Sequence, residues 1–156
     1  MKIVQSDAQG KCTATALRLL SYRPRSEAEL RVRLSRKFDS ETIDNVITKL
    51  RDTLIIDDTS FARFWRDQRD SLSPRSKRLI RTELRQKGID SELIADITQD
   101  IDDDENAYRA AHKKASVLKP EGYETFRRKL SAFLSRRGFN YEVINHAINR
   151  LWRELN

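Results

Sequence analysis

Residues 73–89 read SPRSKRLIRTELRQKGI, and the pattern in this stretch decides the fold. Ser73 can cap a helix, and Pro74 suits the first helical position, where its missing N–H would be unpaired anyway. Gly88 suits the left-handed residue that closes a helix. Ile80 and Leu84, four apart, form an apolar stripe. At about 100° per residue, Arg75, Arg78, Arg81 and Arg85 fall together on the side facing away from that stripe. The stretch therefore predicts a helix that turns aliphatic side chains to a core and a row of guanidinium groups outward.

Working outward, the same helix recurs. Leu34, Leu84 and Leu134 stand 50 residues apart, each with an apolar partner four residues earlier: Leu30, Ile80 and Leu130. A basic residue follows (Lys37, Lys87, Arg137), then an apolar one (Phe38, Ile89, Phe139). Asp39, Asp90 and Asn140 can then cap a second helix whose first turn holds Glu41, Glu92 and Glu142. That helix repeats through Ile43, Ile94 and Ile144, and through Leu50, Ile101 and Leu151. A period of this kind is the signature of a repeat architecture. The expectation is an all-α protein of three tandem three-helix repeats in an elongated, curved array. The boundaries read as a flexible N-terminal arm at 1–12 and repeats at 13–56, 57–104 and 105–156.

Composition agrees with that class. The 156 residues are 35% charged and 38% hydrophobic, with four glycines and three prolines, which suits helices and argues against a sandwich or barrel. Each unit of about 45–50 residues is near the lower limit for folding alone, so stacking has to supply part of the core. No apolar run approaches the roughly 20 residues that span a bilayer. The opening residues lack an apolar signal core, so a cytoplasmic protein is expected, and a monomer. Cys12 is the only cysteine and can form no internal disulfide.

Local signals place further elements. Ala16, Leu17 and Leu20 read as the inward face of a short helix at 13–22. Ser26 and Glu29 form a capping box. Leu54, Ile55 and Ile56 read as a buried connector. Asp57 or Asp58 caps a helix carrying Phe61, Phe64 and Trp65, which at this spacing are core rather than a base-stacking platform.

The chain offers little for catalysis. Asp100, Asp102 and Asp104 alternate as in a calcium loop, but Glu105 stands where that loop needs glycine and Ala111 where it needs glutamate. A solvated acidic junction that caps the next helix explains them better. His112 and His146 stand singly, and neither a GxSxG turn nor a glycine-rich phosphate loop occurs. No metal, cofactor or catalytic residue is expected.

The arginine row is harder to explain as mere solubility. The equivalent positions are Arg25, Ala28, Arg31 and Ser35 in the first unit and Thr125, Arg128, Ser131 and Ser135 in the third. Only the middle unit fills all four with arginine, whose planar fork suits phosphate and carboxylate. With a net charge of +7, Arg75, Arg78, Arg81, Arg85 and Arg128 are the candidate contacts to nucleic acid or an acidic protein surface.

Three stretches carry a family resemblance: ALRLLSYRPRSEAEL at 16–30, IDDTSFA at 56–62 and RLIRTELRQKGI at 78–89. In this order they resemble the RecX regulators of recombination, nearly from Thr13 onward. One departure is Lys37-Phe38, where the family usually has glycine after the basic residue. The resemblance implies tandem three-helix repeats and a non-enzymatic protein of DNA repair and the SOS response. Such a protein binds the RecA–DNA filament, lies in its groove and restrains ATP hydrolysis and strand exchange. Its partners would be that filament and single- and double-stranded DNA in a salt-sensitive manner, and not a membrane. A helical module that binds DNA without RecA is the alternative, since three-helix units can resemble helix-turn-helix domains.

Overall fold

The computed structural model describes residues 2–72, 74–118 and 122–156, with side chains from residue 6. The described residues form nine helices and no strand. They are α1 (Lys2–Tyr22), α2 (Glu27–Leu34), α3 (Ser40–Asp52), α4 (Asp58–Leu72), α5 (Lys77–Gln86), α6 (Ser91–Thr98), α7 (Asp103–Ala115), α8 (Tyr123–Arg136) and α9 (Tyr141–Leu155). They pack in threes: α1 with α2 and α3, α4 with α5 and α6, α7 with α8 and α9. Each triplet has its own core, and Leu34, Leu84 and Leu134 lie fully buried in the first, second and third. The accessible surface is 9887 Å², against roughly 8,100 Å² for a compact chain of this mass. The excess fits three small cores in a row rather than one large one.

The caps form where the spacing places them. Asp39, Asp90 and Asn140 accept from the backbone N–H groups of Thr42, Glu92 and Val143. Ser26 and Glu29 close a full capping box.

The units join end to end through their middle helices. The Ser26 hydroxyl accepts from Glu29 N–H and donates to the Lys87 carbonyl at 2.6 Å, so the start of α2 sits on the end of α5. Ser76 N–H donates to the Arg137 carbonyl at 3.0 Å, so the start of α5 sits on the end of α8. Amide-rich helix starts thus face carbonyl-rich helix ends, the favourable sense for the peptide dipoles. A second tie repeats as well. Asp58 of α4 accepts from Glu27 N–H (2.9 Å), and Asp103 of α7 accepts from Lys77 N–H (2.8 Å). In each Asp-Asp pair the first residue caps its own helix (Asp57, Asp102) and the second caps the preceding unit's middle helix.

These junctions explain two glycines and one missing glycine. Gly88 and Gly138 have φ of +77° and +91°, and a Cβ on Gly88 would overlap Ala28. One on Gly138 would meet the Ser76 hydroxyl and lie 2.8 Å from Leu79 Cβ. Glycine is needed for the left-handed turn and for the close approach of the next helix. At the corresponding end of α2 no described unit stacks and no left-handed residue occurs: Phe38, the counterpart of Ile89 and Phe139, follows Lys37 directly. It packs against the first core.

Several local expectations change. The chain is helical from Lys2, so residues 2–12 extend α1. Cys12 is fully buried in the first core, while the Asp7–Lys11 pair (3.2 Å) is an exposed bond within α1 itself. The inward face is Cys12, Ala16 and Leu19, while Leu17 is exposed. The connector is buried only at Ile56, because Leu54 takes the left-handed position after α3 (φ +59°) and turns outward with Ile55. The third unit's first helix starts at Asp103 rather than Glu105. Trp152 packs 5.1 Å from the Phe126 ring in the third core.

Candidate nucleic-acid interface

The helix at the centre of the sequence reading is α5, and it starts later than its sequence suggests. Ser76, not Ser73, is the cap: its hydroxyl accepts from Leu79 N–H at 3.0 Å. Ser73 lies outside the described residues, and Pro74 precedes the helix by three positions. Ile80 and Leu84 are buried as expected, at 1% and 0% exposure.

The later start divides the arginine row. Arg75 precedes the helix, and its Nη1 donates to Glu83 Oε2 at 2.6 Å. Arg69 from α4 donates to the same oxygen from Nε (3.2 Å) and Nη2 (3.0 Å). Glu83 is 13% exposed and Arg75 is 26% exposed. This pair ties α4, the 74–76 turn and α5 together. Arg81 is half-buried and donates from Nε to Thr98 Oγ1 at 2.7 Å, bracing α5 against α6. Both arginines are thus engaged within the middle unit.

Arg78 and Arg85 remain outward and exposed. They are seven residues apart, two helical turns or about 10 Å along one face. Arg78 Nη2 donates to the Gly138 carbonyl at 3.3 Å, which sets it at the junction with the third unit. Arg85 reaches only Thr82 Oγ1 of its own helix, at 3.2 Å. Arg128 holds in α8 the position that Arg78 holds in α5, and it is exposed. The three point from equivalent faces of consecutive middle helices. In the first unit the counterparts of the inward pair are also engaged. Arg31 pairs with Asp44 (2.6 Å) and Glu27 (3.4 Å), and Arg25 donates to the Leu19 carbonyl.

The structure adds exposed cations that the arginine row did not single out. Lys129 and Arg136 lie on α8, and Arg36 and Lys37 follow α2. The repeat itself carried the signal for two of them: Arg36 and Arg136 are 100 residues apart and occupy one slot in the first and third units. The acidic stretch 100–105 is consumed by the fold. Asp100 pairs with Arg66 at 2.5 Å, and Asp102 and Asp103 are the caps described above. Among the described residues no group of three His, Cys, Asp or Glu side chains is placed to hold a metal ion. No described helix is long and apolar enough to cross a membrane.

Three family models match the chain in succession: the first three-helix domain of RecX over residues 12–50, the second over 57–96 and the third over 102–148. The chain belongs to the RecX family. The Regulatory protein RecX of Chlorobium phaeobacteroides is 37% identical over 139 residues, which cover 88% of this chain and 91% of that one. The Regulatory protein RecX of Finegoldia magna is 35% identical over 145 residues, 86% of this chain and 68% of that one. The crystal structure of RecX from Lactobacillus salivarius matches with a TM-score of 0.74 and 27% identity, over 94% of this chain and 97% of that one. In this RecX-family chain the matched domains fall on the three helix triplets. Outside them lies most of the N-terminal half of α1.

Proposed function

We propose that this chain binds the RecA–DNA filament along its groove and restrains ATP hydrolysis and strand exchange, acting by binding rather than by catalysis. Membership of a family of regulatory proteins supports the regulatory role. The observation that carries the contact surface is the outward set Arg78, Arg85 and Arg128 on equivalent faces of consecutive middle helices. A linear array can follow a helical groove, and guanidinium groups suit both phosphate and carboxylate. Arg75 and Arg81, drawn into internal bonds, support the frame from which the other three project.

The test is a RecA ATPase assay on single-stranded DNA, with the wild-type chain and with Arg78→Ala/Arg85→Ala/Arg128→Ala. The wild-type chain should suppress hydrolysis and the folded triple variant should do so weakly. Equal suppression by both would remove this face from the interface. DNA binding equally tight with and without RecA, and no effect on the ATPase, would favour a DNA-binding module that acts without the filament.

A further inference from the structure

The internal repeat allows the two junctions to be compared position by position. α4 and α7 correspond at an offset of 45, since Asp58 and Asp103 perform the same cap. The middle helices correspond at an offset of 50. At the first junction the space beside the middle helices is filled and neutralised. Trp65 lies in it, with the Arg69 guanidinium 4.3 Å and Lys87 Nζ 5.1 Å from its ring. Arg69 pairs with Glu83 at 3.0 Å and Lys87 with Glu29 at 3.1 Å.

The second junction keeps the cations but has no carboxylate at the positions of Glu83 and Glu29. Arg69 becomes Lys114 and Lys87 becomes Arg137. Trp65 becomes Ala110, Glu83 becomes Phe133 and Glu29 becomes Leu79. Where the indole would lie there is a groove of about 350 Å³, floored by Leu72, Pro74, Ala110 and Phe133 and furnished with Lys114 and Arg137. No Asp or Glu lines it among the described residues. Lys114 Nζ and the Arg137 guanidinium are 5.5 and 5.0 Å from the Phe133 ring centre. Leu72 and the adjoining Val117 are 65% and 73% exposed, high values for aliphatic side chains that share one groove. Burial lowers the Arg137 pKa, and the positive charges of Arg75, Arg136 and Arg69 lower it further, as befits a cation short of carboxylate.

We propose that this groove docks an acidic segment of a partner protein that carries a bulky apolar side chain. Its carboxylates meet Lys114 and Arg137, as Glu83 and Glu29 meet Arg69 and Lys87 in the first junction, and its apolar side chain fills the space of the absent indole. The volume is at the lower end of ligand pockets, enough for one or two side chains rather than a whole helix. Nucleic acid fits less well. A base needs an open aromatic face, whereas the Phe133 ring already has two cations beside it and the remaining lining is aliphatic. None of Arg78, Arg85 and Arg128 lines the groove, so the proposal stands whatever those three bind.

Fluorescence anisotropy on the full chain tests it. The probes are a labelled peptide of Glu and Asp with a central Leu-Phe pair, the same peptide with Ser-Ser at its centre, and labelled oligothymidylate. The Leu-Phe peptide should bind saturably, and the Ser-Ser peptide at least tenfold more weakly. Phe133→Glu restores the carboxylate of the first junction and should weaken the Leu-Phe peptide tenfold or more. Lys114→Glu, a surface change checked for folding by circular dichroism, should do the same. No saturable binding below about 1 mM overturns the proposal. So does equal affinity for the two peptides, or no loss in folded Lys114→Glu. Oligothymidylate that displaces the peptide and is itself lost with Phe133→Glu would make nucleic acid the occupant and overturn it too.

Discussion

At the scale of single residues, the glycines divide by what stands against them. Gly138 combines φ +91° with the Ser76 hydroxyl and Leu79 at its Cβ position. Gly138→Ala should cost about 2–5 kcal/mol, combining left-handed strain of about 1–2 with overpacking of about 1–3. Gly10 lies inside α1 with nothing within 4 Å of its Cβ position. Gly10→Ala should therefore stabilise by up to about 1 kcal/mol. Urea melts of the two variants make a matched pair, and the same sign for both would contradict this account. The helix-closing role of Gly88 was legible from its place after Lys87. The neighbour pressed against it, Ala28, was not, because that contact spans the boundary between units. The same limit applied to Arg75. Its spacing put it on the arginine face, but Glu83 held it instead, and one carboxylate among four arginines and two lysines in residues 75–87 was the signal available.

At the scale of elements, most caps and the stripes of the repeated helices were legible because each is a short-range device, whereas the α5 cap fell on Ser76 rather than Ser73 and the inward face of α1 on Cys12, Ala16 and Leu19. The four-residue spacing of Ile80 and Leu84 was enough to bury both, and Ile80→Ala or Leu84→Ala should cost about 2–5 kcal/mol each in the same melts. The first junction carries a pH dependence of its own. Burial opposes ionisation of Glu29, but hydrogen bonds from Arg23, Lys87 and Ser26 N–H outweigh it and bring its pKa from 4.5 to about 2. A carboxylate whose folded pKa is depressed contributes stability that is present above the unfolded value and lost as pH falls through the folded one. The contribution is therefore complete above about pH 4.5 and fades toward pH 2. A shift of this size corresponds to roughly 3 kcal/mol at most, and the 40% exposure of Arg23 reduces it to about 2. Glu29→Gln should lose that amount at neutral pH and show a flatter acid limb. An unchanged acid limb would mean that the Glu29 cluster does not couple the first two units.

At the scale of the whole molecule, the 50-residue period revealed three units before any contact was known, while the manner of their joining rests on pairs some 60 residues apart, such as Ser26 with Lys87. That end-to-end joining makes the outward arginines a connected feature. It lines up the middle helices, so Arg78 and Arg85 of one unit and Arg128 of the next share equivalent faces. Charge that merely keeps helices soluble would interact with DNA diffusely, whereas three fixed guanidinium groups release a definite number of counterions. On duplex DNA each neutralised phosphate contributes about −0.9 to the slope of log K against log salt. Arg78→Ala/Arg85→Ala/Arg128→Ala should therefore flatten that slope by about 2.7. Its folding stability should change by less than about 1 kcal/mol per site, because these side chains are exposed and alanine favours the helix. Arg75→Ala should behave in the opposite way. It leaves the slope nearly unchanged and costs about 1–3 kcal/mol of stability, since it strips a largely buried Glu83 of one of its two partners. Titrations at several salt concentrations, paired with urea melts of the same proteins, separate the two roles. A slope unchanged in the triple variant, or flattened as much by Arg75→Ala, would show that the exposed row is not where phosphate is met.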